Sequence, residues 1–322
     1  MTDAPHAELI AIGETMVLVV PALAEPLEHA VDFHLDAGGA EANVASHLAA
    51  LGHPAAWAGR VGDDALGRRL VAQIAARGVD VRLVERDAEA PTGLYVKNPG
   101  SGVQYYRAGS AASKMSPAFV DALPLDGVRI VHLSGITAAL SGSCDAALDA
   151  AIDRARANGV LVSFDVNHRA ALWPAPGDGD ADEASAAPDA PTRLRALAER
   201  ADLVFVGLDE AERLWGTATP AAVRALLPGP AHLVVKDGDV GATEFAREGD
   251  ARGADGPDLV AHVPAHRVEV VEAVGAGDAF AAGYLAALLE GRDARERLQA
   301  GHDRAVLVLR ETSDFPREPR TD

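Results

Sequence analysis

The chain has one cysteine, Cys144, so no internal disulfide can form. That suits a reducing compartment, and a cytoplasmic location is expected. Lys97, Lys114 and Lys236 are the only lysines among 29 basic residues, and the net charge is −19. No basic patch is visible, which argues against a nucleic-acid partner. Nowhere do 18 apolar residues follow one another, so no membrane span is expected. Met1-Thr2-Asp3-Ala4-Pro5 has neither the basic region nor the apolar core of a signal peptide. Gly-Lys-Ser/Thr is absent, which excludes a Walker A phosphate loop.

What is present is a chain of 322 residues, 48% apolar, long enough for one large α/β domain with decoration or for two ordinary ones. Residues 8–20 form an apolar run with the pattern of a buried strand. Residues 40–51 have helical spacing and stop at Gly52; 55–61 is strand-like, and 64–76 is a helix ending before Gly78. Residues 92–97 and 103–107 are strand-like on either side of Pro99-Gly100-Ser101-Gly102. From residue 128 onward the pattern becomes regular. Strands at 128–133, 160–166, 203–206 and 232–236 alternate with helical stretches, followed by hairpin-like strands at 242–245 and 259–263. A strand at 268–271 is expected to run into a glycine turn and the apolar helix 276–289, with a last helix over 294–309. Such alternation implies right-handed crossovers and a mostly parallel, doubly wound sheet, with the early strand pairs forming a small accessory sheet. Residues 174–191 contain almost no large apolar side chain and predict a disordered surface insertion without chemistry.

The strongest local signal is Val270-Val271-Glu272-Ala273-Val274-Gly275-Ala276-Gly277-Asp278, a glycine turn opening a helix. Small residues allow close backbone approach, and the exposed N–H groups and dipole at a helix start favour anionic oxygen. A carboxylate in that first turn suits phosphoryl transfer: the amides stabilise the migrating group while Asp278 accepts a hydroxyl proton. An ordinary dipole-complementing Asp is an equally good reading of the spacing alone.

Gly275-Ala276-Gly277-Asp278 resembles the signature of the ribokinase (phosphofructokinase-B) family of carbohydrate kinases. Ala37-Gly38-Gly39-Ala40-Glu41-Ala42-Asn43-Val44-Ala45, followed by Gly59-Arg60-Val61-Gly62-Asp63-Asp64, is similar to the family's N-terminal signature. The likeness runs over almost the whole chain. The segments Gly93-Leu94-Tyr95, Tyr105-Tyr106-Arg107, Leu133-Ser134-Gly135 and Asp165-Val166-Asn167-His168-Arg169 resemble most the branch acting on 2-keto-3-deoxygluconate.

The resemblance implies an α/β fold, a ribokinase-like three-layer α/β/α sandwich, with a small β-sheet lid from about residues 13–37 and 91–110. It implies ATP and Mg²⁺ as cofactors, a small-molecule sugar or sugar-acid substrate, and a homo-oligomer through the lid. Asp278 would be the base, and Gly275, Ala276 and Gly277 the anion hole. Gly39, Asn43, Tyr95, Tyr105, Arg107, Arg169 and Asp314 would meet the substrate. Asn167, Lys236, Gly238 and Gly241 would serve the nucleotide, and Glu210 the metal. Two positions depart from the family pattern: Glu272-Ala273 stands for Asp-Thr, and Gly207 replaces the Asn of Asn-x-x-Glu.

Plainer readings accompany several of these residues. Tyr105 and Tyr106 in a strand point to opposite faces, so one is packing. Arg107 alone is most often solvated or salt-bridged, and Lys236 at a strand end is an anchor for its loop. Asp63-Asp64 is a turn and helix cap. The rival functions are a related kinase for fructose, ribose or a deoxy-keto sugar, and a catalytically weak sugar-acid binding module. A nicotinamide dehydrogenase lacks its glycine pattern.

Overall fold

A computed structural model describes residues 7–23, 25–98, 102–173, 189–247, 256–311 and 313–315. Thirteen strands are described: β1 Leu9–Ile12, β2 Met16–Pro21, β3 Phe33–Gly38, β4 Ala55–Gly62, β5 Val84–Asp87, β6 Leu94–Asn98, β7 Gly102–Tyr106, β8 Ile130–Ser134, β9 Leu161–Asp165, β10 Leu203–Gly207, β11 His232–Asp237, β12 Gly241–Arg247 and β13 Asp258–Pro264. The helices are α1 Ala40–Ala50, α2 Ala65–Ala76, α3 Pro117–Asp121, α4 Gly135–Ala138, α5 Gly142–Ala157, α6 Ala190–Arg200, α7 Leu208–Trp215, α8 Pro220–Leu226, α9 Ala276–Leu289 and α10 Ala294–Leu309. Among the described residues no helix is long and apolar enough to cross a membrane.

Nine strands form one sheet in the order β13-β12-β11-β10-β9-β8-β1-β4-β5. The strands from β5 to β11 are parallel, and β12 and β13 add an antiparallel edge. The strands alternate their side chains between two buried layers. Ile10, Val131, Val162, Val204 and Val235 face α5, α6, α7 and α8. Leu9, Ala11, Trp57, Phe205 and Val234 face α1, α2, α9 and α10. Apolar residues on both faces are what a parallel sheet covered by helices requires. From β1 the chain winds toward β4 and β5; from β8 it winds the other way. The reversal lies between β1 and β8, and open α/β sheets bind ligands at the carboxyl strand ends beside such a reversal.

A second sheet, β3-β2-β6-β7, stands apart as the small lid sheet. Its β2–β6 pair is parallel and its outer pairs are antiparallel. Every residue of β7 is exposed.

Three sequence expectations need correction. The run 8–20 is two strands, not one. The chain leaves the large sheet at Gly13, whose N–H still bonds Ala58 O at 3.1 Å, and enters the small sheet at Met16. Residues 268–271 form no strand. Val270 and Val271 are exposed, with β13 already closing that edge, and Val271 N bonds Leu309 O at 2.8 Å instead. Of the segment 174–191, residues 174–188 lie outside the described residues; Asp189 caps α6, accepting from Thr192 N at 3.0 Å, and Ala190 and Pro191 open the helix. The turn residues 99–101 also lie outside the described residues. Asp64 caps α2 as expected, accepting from Gly67 N at 2.7 Å and Thr92 N at 2.8 Å.

Candidate active site

Asp278 lies in the first turn of α9, whose N-cap, Gly275, has φ +84°. A side chain at Gly275 would be strained there and would meet Asp314 Cα at 3.0 Å. Asp278 is half-buried, and its Oδ2 accepts from Asn43 Nδ2 at 2.9 Å. Burial raises its pKa to about 7; Asp165 and Asp314 push the same way, while the Asn43 hydrogen bond and Arg169 oppose it. A carboxyl group poised there takes and returns a proton near neutral pH. Asn43 on α1 is buried, and its amide is the hydrogen-bond donor that holds the Asp278 carboxylate.

The carboxyl ends of β9, β10 and β11 supply the next groups. Lys236 Nζ donates to Asp165 Oδ2 at 2.9 Å, and a Cβ built on Gly277 would lie 3.4 Å from that ammonium. Burial alone would lower the Lys236 pKa, but Asp165, Glu210 and Asp278 raise it above the usual lysine value. Asn167 has φ +40°, the single positive φ outside glycine among the described residues. Asn tolerates that region better than most residues. Glu210 closes the turn: one carboxylate oxygen accepts from His168 N, the other from Gly207 N at 3.2 Å. Burial and Asp165 raise the Glu210 pKa, while Lys236 opposes. Both Glu210 oxygens thus receive one backbone N–H group each, which leaves a lone pair on each oxygen. No cluster of three metal-ligating side chains occurs among the described residues. Arg169 is exposed, with Nη1 3.3 Å from His168 O and no ion pair among the described residues.

On the lid side, Arg107 follows β7 and pairs with Glu14, which is 1% exposed and also accepts from Ser110 Oγ at 2.9 Å. Burial pushes the Glu14 pKa up against the Arg107 attraction. The Arg107 charge is therefore already matched. Tyr95 is buried, its hydroxyl 3.4 Å from Asp314 Oδ2, and Tyr105 stacks on it with centroids 5.8 Å apart. Tyr106 points to the other face, bonding Gln104 at 3.2 Å. Asp314 is 4% exposed; burial raises its pKa, and Lys97, 4.0 Å away, opposes. Lys97 also lies 3.5 Å from Glu272, whose Oε1 accepts from Ala273 N and Val274 N. The departure at 272 thus caps the loop that leads into the glycine turn.

Some predicted site glycines have structural work. A Cβ on Gly39 would come within 2.4 Å of Glu14 O, and one on Gly241 within 2.3 Å of Val263 O. Gly238 and Gly241 lie in the tight β11–β12 hairpin, with φ +49° and +146°. Sequence reasoning assigned no role to Glu14, Lys97 or Asp165. An acid isolated inside the apolar run 8–20 was the available signal for Glu14, since an unpaired carboxylate is costly to bury.

The family model for pfkB family carbohydrate kinases matches residues 6–318. The chain belongs to the PfkB family of carbohydrate kinases. It is similar to the 2-dehydro-3-deoxygluconokinase of Bacillus subtilis, with 31% identity covering 96% of this chain and 91% of that protein. The 2-dehydro-3-deoxygluconokinase of Thermoproteus tenax is 33% identical over 94% of this chain and 88% of its own. Among solved structures, a PfkB protein from Polaromonas sp. JS666 superimposes with a TM-score of 0.81 at 36% identity, covering 94% of this chain and 95% of the other.

Proposed function

We propose that this kinase moves the γ-phosphate of ATP to the terminal hydroxyl of 2-keto-3-deoxygluconate, the compound also called 2-dehydro-3-deoxygluconate, giving the 6-phosphate. The observation that carries the reaction is Asp278: a half-buried carboxylate, hydrogen-bonded by Asn43, at a helix start opened by a left-handed glycine. The acceptor oxygen–phosphorus bond forms as the β–γ bridge breaks, Asp278 takes the hydroxyl proton, and ADP leaves. The N–H groups of the turn stabilise charge on the group in transfer. The substrate assignment rests on the two 2-dehydro-3-deoxygluconokinase relatives and on Arg169, an exposed guanidinium with no ion pair among the described residues. Mg²⁺ would arrive on the nucleotide, neutralise its phosphates, and meet Glu210 through its water shell. The test is coupled ADP release across keto-deoxy acids, fructose and ribose, with and without Mg²⁺. The reading expects 2-keto-3-deoxygluconate to give the highest kcat/KM and chelation to stop turnover; a neutral sugar winning would overturn the substrate.

A further inference from the structure

Asp278 is flanked by a cation, Lys236, that takes no part in the proton transfer itself. We propose that Lys236 is a catalytic cation that touches the phosphoryl group in transfer, and that Asp165 is its positioning residue. The inference rests on the kinase reading of the glycine turn, but not on which sugar is phosphorylated.

Lys236 leaves the carboxyl end of β11 and crosses β10, its ammonium 5.9 Å from the Phe205 ring centroid, to reach Asp165 on β9 at 2.9 Å. Asp165 is 4% exposed, so the ammonium is held from a rigid strand end. From there it faces Gly277. Among the described residues, the ammonium is the single neighbour within 4 Å of the point where a Gly277 Cβ would sit, beyond the adjoining chain. An anionic oxygen in that space meets the helix start on one side and the ammonium on the other. A pair that merely pinned β9 to β11 would need neither this approach to the turn nor the 22% of the Lys236 side chain that stays open. The surroundings are otherwise acidic. Facing Asp278 are Asn43 from α1, Asp165 from β9, Arg169 beyond it, Lys236 from β11 and Asp314 from the C-terminal segment. Without the ammonium, a negatively charged phosphoryl group would meet three carboxylates, with Arg169 near Asp278 and Lys97 near Asp314 left to oppose them. Preorganised charge of this kind acts where charge develops, without reorganisation. Lys236 gives up no proton; the balance of bonds is unchanged.

The test compares Lys236→Met, Lys236→Arg, Asp165→Asn and the double variant Lys236→Met/Asp165→Asn in the full chain, using the sugar the wild type phosphorylates best. Lys236→Met should lower kcat about 10²–10³-fold, the usual loss for one such group, with the sugar KM nearly unchanged. It should also shift the acid limb of the pH profile upward, because Asp278 loses one of its two cations. Lys236→Arg should recover part of the rate, and Asp165→Asn should lower kcat about tenfold. The double variant removes both charges together, so it should melt near the wild type while staying as slow as Lys236→Met. A double variant that melts normally and keeps more than about a tenth of wild-type kcat overturns the inference, as does a rate loss that merely tracks a fall in Tm. A wild type that releases no ADP with any sugar removes the kinase reading, and this inference with it; an active wild type indifferent to Lys236 removes this inference alone.

Discussion

Asp278 works against its surroundings. Burial and two neighbouring carboxylates raise its pKa to about 7, yet only its ionised form can take a proton. The sign follows: below pH 7 the ionised fraction falls about tenfold per unit, so kcat/KM should climb with pH and level off above it. A profile flat from pH 5.5 to 8 would show that Asp278 is not the base. Asp278→Asn keeps the size and cannot take the proton, so turnover should fall about 10²–10⁴-fold with the fold intact. A variant keeping half of wild-type turnover would remove the assignment. This residue was legible in the sequence because its context is local: turn, helix start and acid lie within four consecutive positions. Arg107 was not. Its partner Glu14 lies 93 positions away, and nothing in Tyr105-Tyr106-Arg107 announces a buried acid in the bend between β1 and β2. The family resemblance placed Lys236 with the nucleotide loop, while its reach to Asp165, 71 positions away, depends on the order of β9, β10 and β11.

At the scale of elements, the Arg107–Glu14 pair joins the end of β7 to the bend between β1 and β2, where the two sheets part. Removing one partner of a buried pair typically costs about 3–5 kcal/mol, more than the pair itself contributes. Arg107→Ala should therefore lower Tm, and the loss should grow with pH. The Glu14 pKa is already raised in the folded state, and without Arg107 it rises further. A group whose folded pKa exceeds its unfolded value binds more protons when folded, so stability falls as pH rises from the unfolded value through the folded one. Melting at pH 5 and pH 8 checks this, and Arg107→Ala/Glu14→Gln should recover most of the deficit. An equal Tm loss at both pH values would mean that Glu14 stays ionised without its partner. The same bend explains why residues 8–20 suggested one strand. Periodicity registers apolar side chains on an extended chain, and both β1 and β2 are buried, so it cannot show which sheet each joins. The expected strand at 268–271 failed for the converse reason: β-branched residues without a neighbouring strand have no ladder to join.

The whole molecule carries a net charge of −19, which repels an acidic substrate at long range. Capture of a sugar acid then depends on a local cation. The sequence offered Arg107 and Arg169 as equals, and the folded chain separates them. Arg107 is matched by Glu14, whereas Arg169 is exposed, bonded to the His168 carbonyl, and close enough to Asp278 to lower its pKa. Arginine's planar fork suits a carboxylate, and a charged hydrogen bond contributes about 1.5–3 kcal/mol, or one to two decades. Arg169→Ala should therefore lower kcat/KM for 2-keto-3-deoxygluconate about 10–100-fold, mostly through KM, while hardly changing the slow turnover of fructose or ribose. Arg107→Ala, compared at a temperature where it stays folded, should affect acid and neutral sugars alike, because it alters lid geometry rather than charge. Steady-state kinetics on the three substrates distinguish the two arginines. If Arg169→Ala slows every sugar equally and acts through kcat, its guanidinium serves the phosphoryl group, and the substrate carboxylate must be held by another group in the cleft.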